Sequence, residues 1–324
     1  MSQLPRTNHD YFNFQTQILK GQKTNSEILE LFTYLEQNPL SIDNFLEIYK
    51  ASKNFTAGIN VNCQTFDITG TGGDLADTFN ISTIAAILAS SCGQSVAKHG
   101  NRASSSQVGS ADLLEGLGIK IDLDKVQARK ALEENGFVFL FAPSFNPSFR
   151  FAKEARKIFK KQTYFNFLGP LLNPANPEFS LVGCAKREMV NFMGEALVEN
   201  GTKKAWVTYS EAGINEISPC GKTFVTEFTA NYQKSFELTP ADFGLKASRL
   251  EEIESKDLAG NLEIARNIFT NQATPAQTDA VLINVAAGLF ISEKANDLKK
   301  GMEIARRALE SGNANKKLQK LQNN

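Results

Sequence analysis

The stretch GFVFLFAP, Gly136 to Pro143, is apolar at every position from Phe137 to Ala142. A strand with one wet face alternates apolar and polar residues, whereas an unbroken apolar run between turn formers suits a strand covered on both faces. Such a strand needs material packed above and below it, which restricts the chain to a layered α/β arrangement. The rest of the chain keeps the same rhythm. CQTFDITG reads as a strand that stops at glycine, Ile81 to Ser91 as an apolar helix, SVAKHG as a short strand, and Asp112 to Leu117 as the opening of a helix. Phe179 to Ala185 reads as a strand, Glu188 to Asn200 as a helix and KAWVTYS as a strand, with helices over Asn261 to Asn271, Thr278 to Glu293 and Leu298 to Ser311. This alternation predicts an α/β fold with a central mixed, largely parallel sheet.

The first sixty residues read differently, as helices. In TNSEILELFTYLEQ the apolar residues Ile28, Leu29, Leu31, Phe32 and Leu35 follow a helical period, with Asn25 or Ser26 as the expected cap. A second helix begins at Ser41 with Asp43 in its first turn. Amphipathic helices this short need something to pack on, so a small helical unit leaning on the rest is expected. The tail NANKKLQKLQNN is polar and is expected to fray.

Lys plus Arg number 35 and Asp plus Glu 35, so the chain has no net charge and nothing that advertises nucleic acid or an anionic membrane as partner. Cys63, Cys92, Cys184 and Cys220 form no CxxC pair, and with two histidines they argue against a zinc site. No apolar run approaches the ~18 residues of a membrane span. The polar start MSQLPRTNHD has no apolar signal core, which leads to the expectation of a cytoplasmic protein with reduced thiols.

The chemistry gathers in three loops. DITGTGGD, Asp67 to Asp74, lies between a predicted strand and a predicted helix. Glycines there let backbone N–H groups turn toward an anion, and TFNIST, Thr78 to Thr83, adds hydroxyls at a helix N-terminus suited to phosphate. An isolated GTGG would read more simply as a turn before an N-cap. It is followed, however, by KHGNRASSS and then GSADLLEGLG. Lys98 and Arg102 offer charge to a phosphate, and Ser104, Ser105, Ser106 and Ser110 offer hydroxyls. His99 fits equally well as a packed histidine or as part of the site.

GTGGD, TFNIST, KHGNRASSS and GSADLLEGLG, in this order, together with TYFNFLGPLLNPANP (Thr163 to Pro177), resemble the anthranilate phosphoribosyltransferases, over about residues 15 to 315. The resemblance implies a fold of the nucleoside phosphorylase/phosphoribosyltransferase type. It divides the chain into a small helical domain, 1–60, completed by helices near 150–178, and a large α/β domain, 61–150 and 179–324. It implies a homodimer formed through the small domain, and Mg²⁺-dependent transfer of the phosphoribosyl group of phosphoribosyl pyrophosphate (PRPP) to anthranilate. By motif position, Gly70, Gly73, Asp74, Thr78, Asn80, Ile81 and Thr83 would hold PRPP, with Ser82 also a magnesium ligand. Lys98, His99, Gly100, Asn101, Arg102, Ser104, Ser105, Ser106 and Ser110 would hold it from the other side. Gly70, Asn101 and Arg156 would face anthranilate, and Lys98 and Arg156 are the implied catalytic pair.

The sequence departs from the family's pattern at several points. GINEIS places Asn215 where the family has an aspartate beside Glu216, the other expected magnesium ligand. Asn offers a carbonyl oxygen without charge, and Mg²⁺ prefers anionic oxygen. SFNPSF has Asn146 where the family has histidine, Gln107 replaces a lysine common in the family, and the N-terminal unit is shortened between its helices. Asn146 and Asn215 motivate one other reading, a PRPP-dependent enzyme with a different aromatic amine acceptor. A second, a non-catalytic relative that binds nucleic acid, is opposed by the intact GTGGD and the zero net charge.

Overall fold

Hydroxyl caps start the first three helices, α1 (Asn8–Leu19), α2 (Asn25–Gln37) and α3 (Ile42–Lys53): the side chains of Thr7, Thr24 and Ser41 each accept a backbone N–H three residues on. Thr24 takes the place of the Asn25 or Ser26 cap expected from sequence, because Glu27 returns a hydrogen bond to its backbone and completes a reciprocal pair. α1 was not individually predicted. Its buried Tyr11, Phe14, Ile18 and Leu19 have helical spacing diluted by polar neighbours. The computed structural model describes residues 4–73, 76–103, 107–255 and 257–323.

Next come β1 (Phe66–Gly70), α4 (Ile81–Ser91), β2 (Val96–Gly100), α5 (Ser110–Gly116), α6 (Lys125–Asn135) and β3 (Phe137–Phe141). Three short helices follow, α7 (Ala142–Phe145), α8 (Lys153–Phe159) and α9 (Tyr164–Leu168), then β4 (Phe179–Gly183), α10 (Val190–Glu199) and β5 (Lys204–Ser210). The chain ends with β6 (Thr223–Phe228), β7 (Gln233–Leu238), α11 (Leu258–Phe269), α12 (Pro275–Ile291), α13 (Leu298–Glu310) and α14 (Asn313–Gln322). The sheet has the order β3-β2-β1-β4-β5-β6-β7, parallel through β5 and antiparallel in the last two pairings. The final hairpin was not expected. β7 is mostly exposed and polar, so it lacks the apolar run that marks the other strands.

The GFVFLFAP strand is an edge strand, yet both its faces are covered. Phe137 and Phe139 join the main core, while Val138 and Leu140 pack with Ala128 and Leu132 of α6. On the main-core side, α12 lies so close to the sheet that a Cβ on Gly288 would sit 2.7 Å from the Phe66 ring. The opposite face of β4 and β5, through Val182, Ala205 and Val207, packs with α10 and with the N-terminal helices. Phe32 of α2 meets the rings of Phe159, Tyr164 and Phe165, so residues around 150–170 share a core with α1 to α3.

The C-terminal tail does not fray. α14 buries Ala314, Leu318 and Leu321, and Lys317 and Lys320 donate to the carbonyls of Asn135 (2.6 Å) and Glu134 (2.8 Å) at the end of α6. Basic side chains on the last carbonyls of a helix also complement its dipole. No helix among the described residues is long and apolar enough to cross a membrane.

Candidate functional site

Three neighbouring parallel strands end in glycine: β1 at Gly70, β2 at Gly100 and β4 at Gly183. Open α/β sheets bind ligands beyond such carboxyl ends. Gly70 and Gly183 are paired in register, and the loop carrying Asn215 lies directly over them. A Cβ on Gly183 would stand 2.3 Å from the Asn215 carbonyl oxygen, and one on Gly70 3.2 Å from the Asn215 Cβ. Gly183 was missed as a site residue; its signal is the glycine that closes an apolar strand. After Gly70 the chain turns through Gly72 (φ 63°) and Gly73 (φ 69°), left-handed conformations that favour glycine. The amide of Gln162 reaches the Gly73 carbonyl at 3.5 Å.

The TFNIST segment is pinned from behind. Thr78 bridges Glu254, Phe79 N donates to Ile253 O at 3.2 Å, and Asn80 N donates to Oδ1 of buried Asn261 at 2.9 Å. Asn80 also donates its own amide to Gly109 O (2.9 Å), which ties this segment to the loop before α5. Ile81 and Thr83 point into the core, which leaves the backbone of the first turn of α4 for any ligand. Ser82 N donates to Glu216 Oε1 at 3.3 Å, so two of the three expected metal residues meet here and the third, Asn215, is adjacent in the chain.

Beneath them lies a buried charged set. Lys98 Nζ donates to Ile68 O at 2.6 Å. Burial lowers its pKa, with Asp67 and Glu216 opposing that shift. Burial raises Glu216, against hydrogen bonds from Ser82 and the charge of Lys98. Asp67 is pushed up to about 6 by burial, although Lys98 and a 2.7 Å hydrogen bond from Asn173 Nδ2 pull the other way. Asn215 is buried, with Oδ1 3.4 Å from the Thr71 hydroxyl and its carbonyl accepting from Thr208 Oγ1 at 3.0 Å.

His99 is buried beside this set, with Nε2 3.2 Å from Asn146 Nδ2. Burial holds its pKa down to about 3 against a hydrogen bond with the Gly169 backbone, so it is neutral and packed. Asn146 is itself held on all sides. It accepts from Thr56 Oγ1 at 2.7 Å and donates to Leu172 O at 3.3 Å as well as meeting His99.

Across β2 the loop is drawn tight. A Cβ on Gly100 would lie 2.3 Å from Ser110 Oγ, and Ser110 Oγ donates to Asn101 O at 3.1 Å. Arg102 is exposed and held by carboxylates, with Nη1 3.1 Å from Asp112 and Nη2 2.9 Å from Glu115. Gln107 is exposed. Asp74, Ser104, Ser105 and Ser106 lie outside the described residues. Arg156, on α8, stands 5.6 Å over the Phe165 ring and is partly buried, which lowers its pKa. No carboxylate among the described residues pairs with it.

No group of three His, Cys, Asp or Glu among the described residues could hold a metal by itself. Mg²⁺ commonly uses one or two carboxylates together with substrate phosphates and water. Glu216, with Ser82 facing it and Asn215 next to it in the chain, fits an ion that arrives with a phosphorylated ligand.

Residues 62–315 match the model of the glycosyl transferase family, a/b domain. The chain is 36% identical over 297 residues to the anthranilate phosphoribosyltransferase of Rhodospirillum rubrum, covering 92% of this chain and 85% of that protein. The crystal structure of the Thermus thermophilus anthranilate phosphoribosyltransferase superposes with a TM-score of 0.90 at 31% identity, over 99% of this chain and 95% of that one. The Saccharomyces cerevisiae anthranilate phosphoribosyltransferase in complex with PRPP and Mg gives 0.88 at 28% identity, over 97% and 92%. Sequence and fold agree over nearly the whole length, and the chain belongs to the anthranilate phosphoribosyltransferase family.

Proposed function

We propose that this protein transfers the 5-phosphoribosyl group of PRPP to the amine of anthranilate and releases pyrophosphate. The observation that carries this reading is the convergence of the glycine turn, the Ser82–Glu216 contact and buried Lys98 at the ends of β1, β2 and β4. Breaking the bond from C1′ to the pyrophosphate oxygen builds positive charge on the ribose and negative charge on the leaving group. Backbone N–H groups at Gly72, Gly73 and the start of α4, with the cation of Lys98, stabilise that departing charge. Magnesium, when bound, neutralises the pyrophosphate oxygens; Glu216, Ser82 and Asn215 are the residues assigned to hold it. The guanidinium of Arg156, with no carboxylate partner among the described residues, takes the carboxylate of anthranilate and aligns its amine. An aniline nitrogen is already a nucleophile, so neutral, packed His99 is not needed as a base.

The remaining assignments belong to the same reading. Arg102 exchanges Asp112 and Glu115 for phosphate when PRPP binds. Residues 1–60 and 150–178 form the small domain, and two copies pair through it in a cytoplasmic homodimer. Phe151 and Ile158, 36% and 51% exposed, supply apolar surface there. Light scattering reads the pairing: twice the single-chain mass is expected, and a monomer at micromolar concentration removes it.

The activity is tested by incubating the protein with PRPP, Mg²⁺ and anthranilate while following the loss of anthranilate fluorescence and the release of pyrophosphate. Both should proceed together. No turnover at high Mg²⁺ overturns the assignment, and turnover with another amine alone overturns the choice of acceptor. Asn146, which had suggested a different acceptor, is occupied by Thr56, His99 and Leu172.

A further inference from the structure

The segment VLINVAAGLF, Val281 to Phe290 in α12, is apolar except for one amide at its centre. Asn284 is fully buried. A buried amide is costly unless its hydrogen bonds are made, and this one makes three. Its Oδ1 accepts from Ile217 N at 3.0 Å, and its Nδ2 donates to Ile217 O at 3.0 Å and to Ala280 O at 2.9 Å. Both backbone groups of one loop residue are therefore held by a side chain from a largely buried helix. That loop residue directly follows Glu216, whose carboxylate faces Ser82 N.

The other side of the same gap is built alike. Asn261 of α11 is buried, accepts from Asn80 N at 2.9 Å, and donates to Asp257 O at 2.8 Å and Ser255 Oγ at 3.2 Å. Each segment flanking the Glu216–Ser82 contact is thus anchored by an asparagine from a later helix. No other contact links α12 to Glu216 so directly through hydrogen bonds among the described residues.

We propose that Asn284 is a positioning residue for the divalent metal: by clamping both backbone groups of Ile217, it keeps the Glu216 carboxylate aimed across the gap at Ser82. It touches neither substrate nor metal. The proposal rests on the reading of Glu216 as a metal ligand. Losing a partner that orients a ligand typically costs 10–100-fold in metal affinity.

The test uses the full chain, with Mn²⁺ in place of Mg²⁺, and measures by calorimetry how PRPP affinity depends on Mn²⁺ concentration. Asn284→Ala is expected to raise the Mn²⁺ concentration for half-maximal PRPP affinity about tenfold. Asn284→Ser can keep the hydrogen bond to Ala280 O while dropping both to Ile217, so it should shift the same midpoint with less loss of Tm, and it serves if the alanine variant does not fold. Ser292→Ala is the control, because Ser292 is a buried hydroxyl of the same region bonded within its own helix to Gly288 O at 2.7 Å. It should lower Tm without moving the midpoint. Glu216→Gln separates the two readings: if it leaves the midpoint unchanged, the metal assignment fails and this role fails with it. If Glu216→Gln shifts the midpoint while both Asn284 variants keep the parent value, only the role of Asn284 is overturned. A shift of the same size in Ser292→Ala also overturns it, since general loosening would then explain the effect.

Discussion

At the residue scale, the candidate site separates groups that are satisfied from groups that are not. Arg156 is a partly buried cation that stands over the Phe165 ring and has no carboxylate partner among the described residues. A charge-assisted hydrogen bond contributes about 1.5–3 kcal/mol, so Arg156→Ala should raise the KM for anthranilate roughly 10–100-fold. PRPP affinity measured by calorimetry should stay near the parent value; an equal loss for both ligands would remove the assignment to the acceptor. Asn215 makes the converse case. It lies buried next to Glu216 in the chain, and among the described residues its side-chain oxygen has only a long contact from Thr71. Asn215→Asp adds an anionic oxygen, so the Mg²⁺ needed for half-maximal rate should fall. Without metal, two adjacent carboxylates repel, so Tm should fall in chelator and recover with Mg²⁺ and PRPP. An unchanged or higher Mg²⁺ requirement would refute a metal position at Asn215.

At the scale of elements, β1 and β2 carry buried titratable groups of opposite effect. Asp67, raised from 3.8 to about 6, binds a proton in the folded state that the unfolded chain has released, so its contribution to stability grows on acidification from pH 6 toward 4. His99, lowered from 6.5 to about 3, resists a proton the unfolded chain accepts, so its contribution is present above pH 6.5 and is lost as pH falls toward 3. Between pH 4 and 6 the two largely cancel. Asp67→Asn removes one partner, and on acidification through that window the variant should lose stability faster than the parent, by up to about 1.4 kcal/mol per pH unit. Urea titrations at several pH values measure the difference; parallel curves would mean that Asp67 keeps an ordinary carboxylate pKa.

The same scale shows what the sequence could reveal. The helix Ile81–Ser91 and the strand at GFVFLFAP were legible because burial on nearly all sides leaves long apolar runs. The helix α14 was not, since three apolar residues among polar ones do not look like a buried face until α6 offers its carbonyls. In the site, the glycine turn could be read because a left-handed backbone asks for glycine, and Lys98 because it opens KHGNRASSS, a loop whose charges and hydroxyls suit a phosphate. The pairing of Arg102 with Asp112 and Glu115, and the packing of His99 against Asn146, depend on residues brought together only by folding.

At the scale of the whole molecule, the end of α3 and the residues after it are tied to the segments that follow β3 and precede β4 through polar as well as apolar contacts. Thr56 reaches Asn146, Ala57 N donates to Phe145 O at 2.7 Å, Ile59 N donates to Pro174 O at 2.9 Å, and Lys53 reaches Asn176. These attachments lie near His99 and Asn173, so the seam between the helices and the sheet runs beside the groups that support Lys98 and Asp67. Arg156 therefore belongs to one body of packed helices, and the glycine-ended loops to the sheet.

Gly288 has a practical consequence for anyone seeking a hardier enzyme. Exchanging a mid-helix glycine for alanine is a routine thermostabilising step, with an expected gain of about 0.5–1 kcal/mol. Here the added methyl would lie 2.7 Å from the fully buried Phe66 ring, and overpacking of that kind costs about 1–3 kcal/mol. Gly288→Ala should therefore lower Tm rather than raise it. Because Asn284 sits one turn earlier on the same face, any shift of α12 away from Phe66 carries the Ile217 clamp with it. A calorimetric Tm and a Mg²⁺ titration on one variant would read both effects, and a higher Tm with an unchanged Mg²⁺ requirement would show that the helix yields without cost. A glycine-to-alanine exchange made here for heat resistance is therefore expected to work against its own purpose and to loosen the clamp on Ile217.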